Sequence, residues 1–266
     1  MTAVAAWRWE ASGEGVGLWR LPAWADLGAG VVFSSRMGGR SPAPWEGLNV
    51  GLAVGDAPDR VQENRRRLAV AAGVAPESVA QVHQVHGTAV AQAVAPGDVG
   101  TADALCTDRV GVTLSVGVAD CAAIYFLDPV HGAIALCHAG WRGTVGDAVG
   151  ATVRTMAGLY GTRAGELHAA IGPAIGPCCY EVDAPVLDAL RGAAAWADSV
   201  LVPTDAGYAR LDLWESNRRR LLDQGVAAER ITVAGLCTAC HPDLLFSHRR
   251  DRGSTGRMRA LLWRLP

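Results

Sequence analysis

Lysine is absent from the chain: all 24 basic residues are arginine. Schiff-base chemistry, a P-loop lysine and a lysine general base are thereby excluded. Any anion the protein holds must be met by guanidinium groups, backbone N–H groups or a metal. A charge imbalance is missing as well, since 26 acidic residues leave a formal charge of −2. The runs Arg65-Arg66-Arg67, Arg218-Arg219-Arg220 and Arg249-Arg250 are too short to be basic tails, so neither nucleic acid nor an anionic membrane is expected as a partner. No apolar run approaches membrane-spanning length, and Arg8, Glu10 and Glu14 interrupt the start of the chain before a leader core could form. The expectation is a cytoplasmic protein. Internal repeats and low-complexity segments are lacking, and the seven cysteines are odd in number and scattered, which argues for reduced thiols rather than a disulfide framework.

What is present is a largely apolar chain of 266 residues with 19% charged, long enough to bury one large core. Three apolar runs lie close together: Val112–Val118, Ala122–Leu127 and Ile134–Cys137, the last two separated by Asp128-Pro129-Val130-His131-Gly132. Runs of this length bounded by turn residues read as buried strands. They would bring Cys121, in Val118-Ala119-Asp120-Cys121, near His138, in His138-Ala139-Gly140-Trp141-Arg142-Gly143, at a sheet edge. A thiolate and an imidazole are two of the three protein ligands that an open zinc site needs. The third candidate lies in Gln81-Val82-His83-Gln84-Val85-His86-Gly87. In a strand, residues 83 and 86 face opposite ways, and Gly87 favours a turn at His86. The same Cys and His could equally be a small core residue and a hydrogen-bonded strand end, or a metal-free nucleophile pair.

Around this centre, Arg36-Met37-Gly38-Gly39-Arg40 and Leu48-Asn49-Val50-Gly51 are glycine-rich turns, the first able to cradle an anion and equally explained as turn chemistry. A helix is expected over Arg60–Ala72 with Asp59 as its cap, and another over Thr144–Tyr160 whose first amides, with Arg142, would face the site. Helices over Ala184–Leu190 and Leu213–Gln224 and strands over Glu166–Ile171 and Ile231–Ala234 read as scaffold of an α/β or α+β layered domain. The nine tryptophans are scattered and read as packing residues. Gly172-Pro173-Ala174-Ile175-Gly176-Pro177-Cys178-Cys179-Tyr180 is a rigid turn able to wall a pocket. Cys237-Thr238-Ala239-Cys240 has the spacing of a zinc half-site or a redox pair, but no second C-x-x-C completes it. Arg249 and Arg250, between His248 and Asp251, suit an anion.

These motifs form one ordered set: Ser35-Arg36-Met37-Gly38-Gly39, Leu48-Asn49-Val50-Gly51, Gln84-Val85-His86-Gly87, Ala119-Asp120-Cys121, His138 to Gly143, Ile171-Gly172-Pro173-Ala174-Ile175, and Phe246-Ser247-His248-Arg249-Arg250-Asp251 with Thr255-Gly256-Arg257. The set resembles the laccase-domain or polyphenol-oxidase-like family, regarded as metal-dependent purine nucleoside phosphorylases, from about residue 31 to the C-terminus. The resemblance implies a single three-layer α/β domain over residues 1–266, with a mixed sheet flanked by helices, similar to the deamidating necrotising toxins. It implies His86, Cys121 and His138 as ligands of zinc, with copper as the other metal, and makes His83 a decoy. Adenosine or inosine with phosphate are the implied substrates, methylthioadenosine a further one and adenosine deamination a second activity. Peptidoglycan precursor editing and single-metal copper polyphenol oxidation are the alternatives. A monomer or small homo-oligomer is expected. Multicopper laccase chemistry is excluded by counting: seven histidines are too few for a blue-copper centre and a trinuclear cluster together. In the implied reaction Arg36, Arg142, Arg249 and Arg250 are candidates for the anion, Asn49 and His248 for the substrate, and Asp120 for a proton or for orienting a metal-bound histidine.

Overall fold

The computed structural model describes residues 6–12, 14–205 and 207–266. Its strands fall into a seven-stranded, a six-stranded and a small three-stranded sheet. In the larger two, alternate residues of each strand face opposite ways, and both faces of each are covered. From the seven-stranded sheet, Phe33, Leu114, Val116 and Leu262 meet Tyr125, Leu127, Ile134 and Leu136 of the six-stranded sheet in one core. Val32 and Leu261, one residue out of phase, pack outward on Leu68 and Ala72 of the first helix, α1 (Pro58–Ala72). Ile124, Phe126, Ala135 and Cys137 pack outward from the second sheet on Val149, Val153, Met156, Leu213 and Leu221. The mixed α/β class is the expected one, but the layers run helix, sheet, sheet, helix rather than helices around one sheet.

The difference arises at the central stretch. Thr113–Val118 joins the seven-stranded sheet, between Met258–Arg264 and Val79–His83, whereas Ala122–Asp128 and Ala133–Ala139 form a hairpin in the other sheet. The chain steps between sheets at Ala119-Asp120-Cys121, with Asp120 in the left-handed region at φ 82°. Apolar runs reveal strands but not which sheet each one joins, so three consecutive runs looked like neighbours.

Two helix boundaries also moved. Helix α1 begins at Pro58, with Ala57 at its N-cap rather than Asp59. The expected Thr144–Tyr160 helix is two pieces, α2 (Trp141–Val145) and α3 (Ala148–Tyr160). Asp147 breaks them apart: it sits at φ 63° and accepts the Gly150 N–H as a new N-cap, so a local hydrogen bond replaces helix continuation. Further on come α4 (Ala184–Ala193) and α5 (Leu213–Asp223). No helix among the described residues is long and apolar enough to cross a membrane.

Candidate metal centre

Hairpin register sets Ala139 opposite Ala122, so His138 lies beside the chain as it enters from Cys121. The strand Val79–His83 ends at His83, and the following turn carries His86 at φ 60° toward the same point. His86, Cys121 and His138 thereby bring one donor atom each within 4.8 Å of one another. The two imidazoles meet edge to face with centroids 4.9 Å apart. His83 is exposed at its strand end and outside this set.

One buried carboxylate organises the group. Asp103 Oδ1 contacts His138 Nδ1 at 2.8 Å and accepts the His86 N–H at 2.9 Å. Its Oδ2 accepts the N–H groups of Gly87 at 2.6 Å and Val85 at 3.2 Å. It therefore holds the positive-φ turn and the His138 ring together. With Nδ1 taken, Nε2 is the nitrogen left for Cys121 or a metal, the arrangement that fixes tautomer and ring orientation in metal sites. Gln84 pins the turn from the other side, pairing its amide with the Gly117 N–H and C=O.

Without a metal, burial alone would raise the Cys121 pKa, but the charges and hydrogen bonds of His138 and His86 outweigh it and pull the thiol down. Burial would lower the His138 pKa, but Cys121 and Asp103 push it up. The pair is stabilised as thiolate and imidazolium, as expected where ionised partners compensate each other out of water.

The donor set suits zinc. One soft thiolate and two imidazoles, His138 buried and His86 exposed, leave an open side for a fourth ligand, as in catalytic zinc sites. Gly140 leaves the space beside these donors open, since an added Cβ would lie 2.7 Å from Cys121 Sγ and 3.6 Å from His86 Cδ2.

The other expected site residues separate into two groups. Exposed Arg142 lies over Trp141, and exposed Arg249 lies over Tyr180 and donates to the Glu181 carbonyl at 2.6 Å. Burial raises the Tyr180 pKa, with Cys121 and Asp120 adding to the rise and Arg249 and Arg142 opposing it. His248 is exposed next to Arg249. By contrast, Asn49 is buried, holding the Gly51 and Arg257 N–H groups and the Asp56 carboxylate. Arg250 is engaged bidentately by Asp251 and donates to the Thr238 and Leu245 carbonyls. Arg36 lies over Phe246 and donates to the Glu46 and Pro242 carbonyls. Both Asp120 oxygens are taken, one by the Thr238 hydroxyl at 2.5 Å and one by the Arg249 N–H at 2.6 Å. The carboxylate that meets a site histidine is Asp103 instead.

Sequence reasoning missed three residues here. Asp103 carried a signal, a carboxylate embedded between Ala102 and the buried run Ala104–Cys106, where charge is rare unless paired. Arg257 stood in a recognised motif without a role. Burial lowers its pKa while Cys121 and Asp120 oppose that. Tyr180 had no signal beyond its rigid turn.

The family described as multi-copper polyphenol oxidoreductase laccase matches residues 30–265, and the chain belongs to it. Among its relatives, purine nucleoside phosphorylase YlmD of Geobacillus stearothermophilus is 42% identical over 258 residues, covering 89% of this chain and 90% of that protein. Purine nucleoside phosphorylase of Deinococcus radiodurans is 41% identical over 248 residues, covering 93% of each. The crystal structure of the Geobacillus YlmD superposes with a TM-score of 0.90 at 39% identity over 97% of this chain and 99% of that one. That of the Bacillus licheniformis hypothetical protein YfiH gives 0.90 at 32%, with the same coverage.

Proposed function

We propose that this chain is a zinc-dependent purine nucleoside phosphorylase, with zinc on His86, Cys121 and His138 and with inosine or adenosine and phosphate as substrates. The observation that carries the reading is a His–Cys–His set ordered by one buried carboxylate and rimmed by arginine, in a chain whose relatives bear that name.

In phosphorolysis a phosphate oxygen bonds to the anomeric carbon of ribose as the bond from that carbon to the purine nitrogen breaks. The purine leaves with the electron pair and gains a proton. Positive charge builds on the ribose and negative charge on the base, so positioning and fixed charges do most of the work. Lacking lysine, the chain meets phosphate with Arg142, Arg249 and Arg257. Tyr180 and Trp141 hold the first two by stacking on Arg249 and Arg142. His248 is available to the nucleoside at the exposed rim. Asp120 positions the Arg249 backbone, while Asn49 and Arg250 keep the flanking loops in place. Zinc, when bound, supplies a positive centre that polarises a purine or ribose oxygen, or lowers the pKa of a water toward about 7. The water chemistry extends the same site to adenosine deamination, read out as inosine formed without phosphate. Methylthioadenosine fits the same reaction class.

The test is metal content followed by phosphate-dependent release of hypoxanthine and adenine from inosine and adenosine, in wild type and Cys121→Ala. The expected result is about one zinc lost in the variant, with phosphate-dependent release abolished. A wild type that binds metal yet releases no purine from any nucleoside would overturn the reading, and hydrolysis of a cell-wall precursor or copper-dependent phenol oxidation would be assayed next.

A further inference from the structure

A second group of metal-binding side chains lies apart from the first. Two parallel strands, His168–Ile171 and Ile231–Val233, run side by side, and the loops leaving their ends are joined: Ala174 N–H donates to the Leu236 carbonyl and Thr238 N–H to the Ala174 carbonyl. This junction brings Cys178 and Cys179 of one loop against Cys237 and Cys240 of the other. All four thiols are free, and their sulfurs lie within 4.8 Å of one another. Cys240 Sγ is 3.5 Å from Cys178 Sγ and 3.4 Å from Cys179 Sγ. A zinc ion with four Zn–S bonds of about 2.3 Å spans a tetrahedron with edges of about 3.8 Å, so the spacing is that of sulfurs around one ion. The adjacent pair supplies the half-site that a search for a second C-x-x-C could not find.

The backbone is shaped for thiolates as well. The Gly176 N–H donates to Cys237 Sγ at 3.3 Å. Amides turned toward a C-x-x-C sulfur stabilise negative charge on it, as hydrogen bonds to a charged acceptor do. Four soft donors this close together favour zinc over harder divalent ions.

We propose that Cys178, Cys179, Cys237 and Cys240 bind one zinc ion as a structural tetrathiolate centre. Each thiol gives up its proton to solvent as its sulfur bonds the ion, and no electron changes hands. A closed four-sulfur shell leaves no position for substrate, so the role is to fasten the two loops. Those loops reach the first centre. Tyr180 follows Cys179 and lies under Arg249, and Thr238, between the C-x-x-C sulfurs, donates to Asp120 beside Cys121.

The experiment loads reduced protein with Zn2+ alone, removes excess ion and measures zinc per chain in wild type, Cys121→Ala and Cys178→Ser/Cys240→Ser. Both substituted residues of the last variant are exposed. The proposal expects that variant to hold one zinc fewer than wild type, and Cys121→Ala to keep the ion the cluster holds, whatever the first centre binds. A second measurement needs no variant: alkylation of wild type followed by peptide mass spectrometry. Cys178 and Cys240 should resist alkylation in zinc-loaded protein and react once a chelator is added. Equal zinc in wild type and the double variant overturns the proposal. So does alkylation of Cys178 and Cys240 at the same rate with and without zinc, or their recovery as a disulfide from zinc-loaded protein.

Discussion

Asp103 orders the candidate centre from behind the donor atoms, because it ties His138 and the His86 turn to one carboxylate. Asp103→Asn should cut metal affinity by about 10–100-fold, the usual cost of losing a partner behind a metal-bound histidine, while near-native circular dichroism shows that the fold survives. Isothermal titration with Zn2+ of the apoprotein carrying Cys178→Ser/Cys240→Ser, which removes the four-cysteine site from the comparison, reads this directly, and an affinity equal to that of the same protein with Asp103 intact would remove Asp103 from the account. Gly140→Ala probes the same space sterically. Its backbone, at φ −79°, accepts alanine, but the methyl would meet Cys121 Sγ at 2.7 Å. Urea unfolding should stay close to wild type while kcat/KM for the nucleoside falls by about 100-fold, as a misplacement of roughly 1 Å at a reacting centre can cause. At this scale the sequence was informative where a residue type is chemically rare. Cys121 and His138 stood out as a soft thiolate and an imidazole at strand ends, and His86 was separated from His83 by Gly87. Asp103 was not legible as a partner, since its sequence separation of 35 from His138 closes only through the sheet.

Elements were legible where periodicity is strong and less so where a side chain overrides it. The strands that carry Cys121 and His138 follow from their apolar runs, and α3 and α5 from helical spacing. The break at Asp147 was hidden because the residues on both sides keep that spacing while the capping carboxylate and positive φ interrupt it. Helix α2 is consequently short and does not hold itself. Buried Arg220 on α5 supports it, donating Nε–H to the Thr144 carbonyl at 3.0 Å and Nη2–H to the Val145 carbonyl at 3.2 Å and the Ala193 carbonyl at 3.3 Å. A cation at a helix C-terminus also complements the helix dipole. Within the run Arg218-Arg219-Arg220 nothing in the sequence singles out the third arginine for burial. Arg220→Ala should lower unfolding free energy by about 1.5–3 kcal/mol, the range for hydrogen bonds to a charged group. It should also raise the KM for phosphate, since Arg142 rides on α2. Denaturant unfolding and phosphate titration at saturating nucleoside check the two effects separately, and a variant as stable as wild type would show that α2 stands without this support.

For the whole molecule, the absence of lysine and the nearly balanced charge leave the fold undescribed, and the pairing of two sheets is visible only once their faces are known. Stability against acid belongs to this scale, because carboxylates outside the candidate centre fasten separate loops. Burial alone would raise the Asp56 pKa, but hydrogen bonds from Ser41, Asn49 and the Ala57 N–H, with Arg60 nearby, hold it below the ordinary value. Asp128, with no exposed side chain, is likewise lowered: burial opposes, while the N–H groups of Val130 and His131 and the His131 ring outweigh it. A carboxylate depressed in the folded state stabilises the fold where the unfolded chain is also ionised, above its unfolded pKa of about 3.9. That contribution fades as pH falls from there through the lower folded value, where the native state takes up the proton at last. Urea midpoints of Cys121→Ala, chosen to take the first centre's metal out of the comparison, should therefore decline as pH is lowered from about 5 to about 3. Adding Asp56→Asn and Asp128→Asn should reduce stability at neutral pH and flatten that decline, because neither side chain then exchanges a proton on unfolding. If the triple variant declined as steeply as Cys121→Ala, acid sensitivity would have to arise from other groups, and these two carboxylates would count only as hydrogen-bond acceptors.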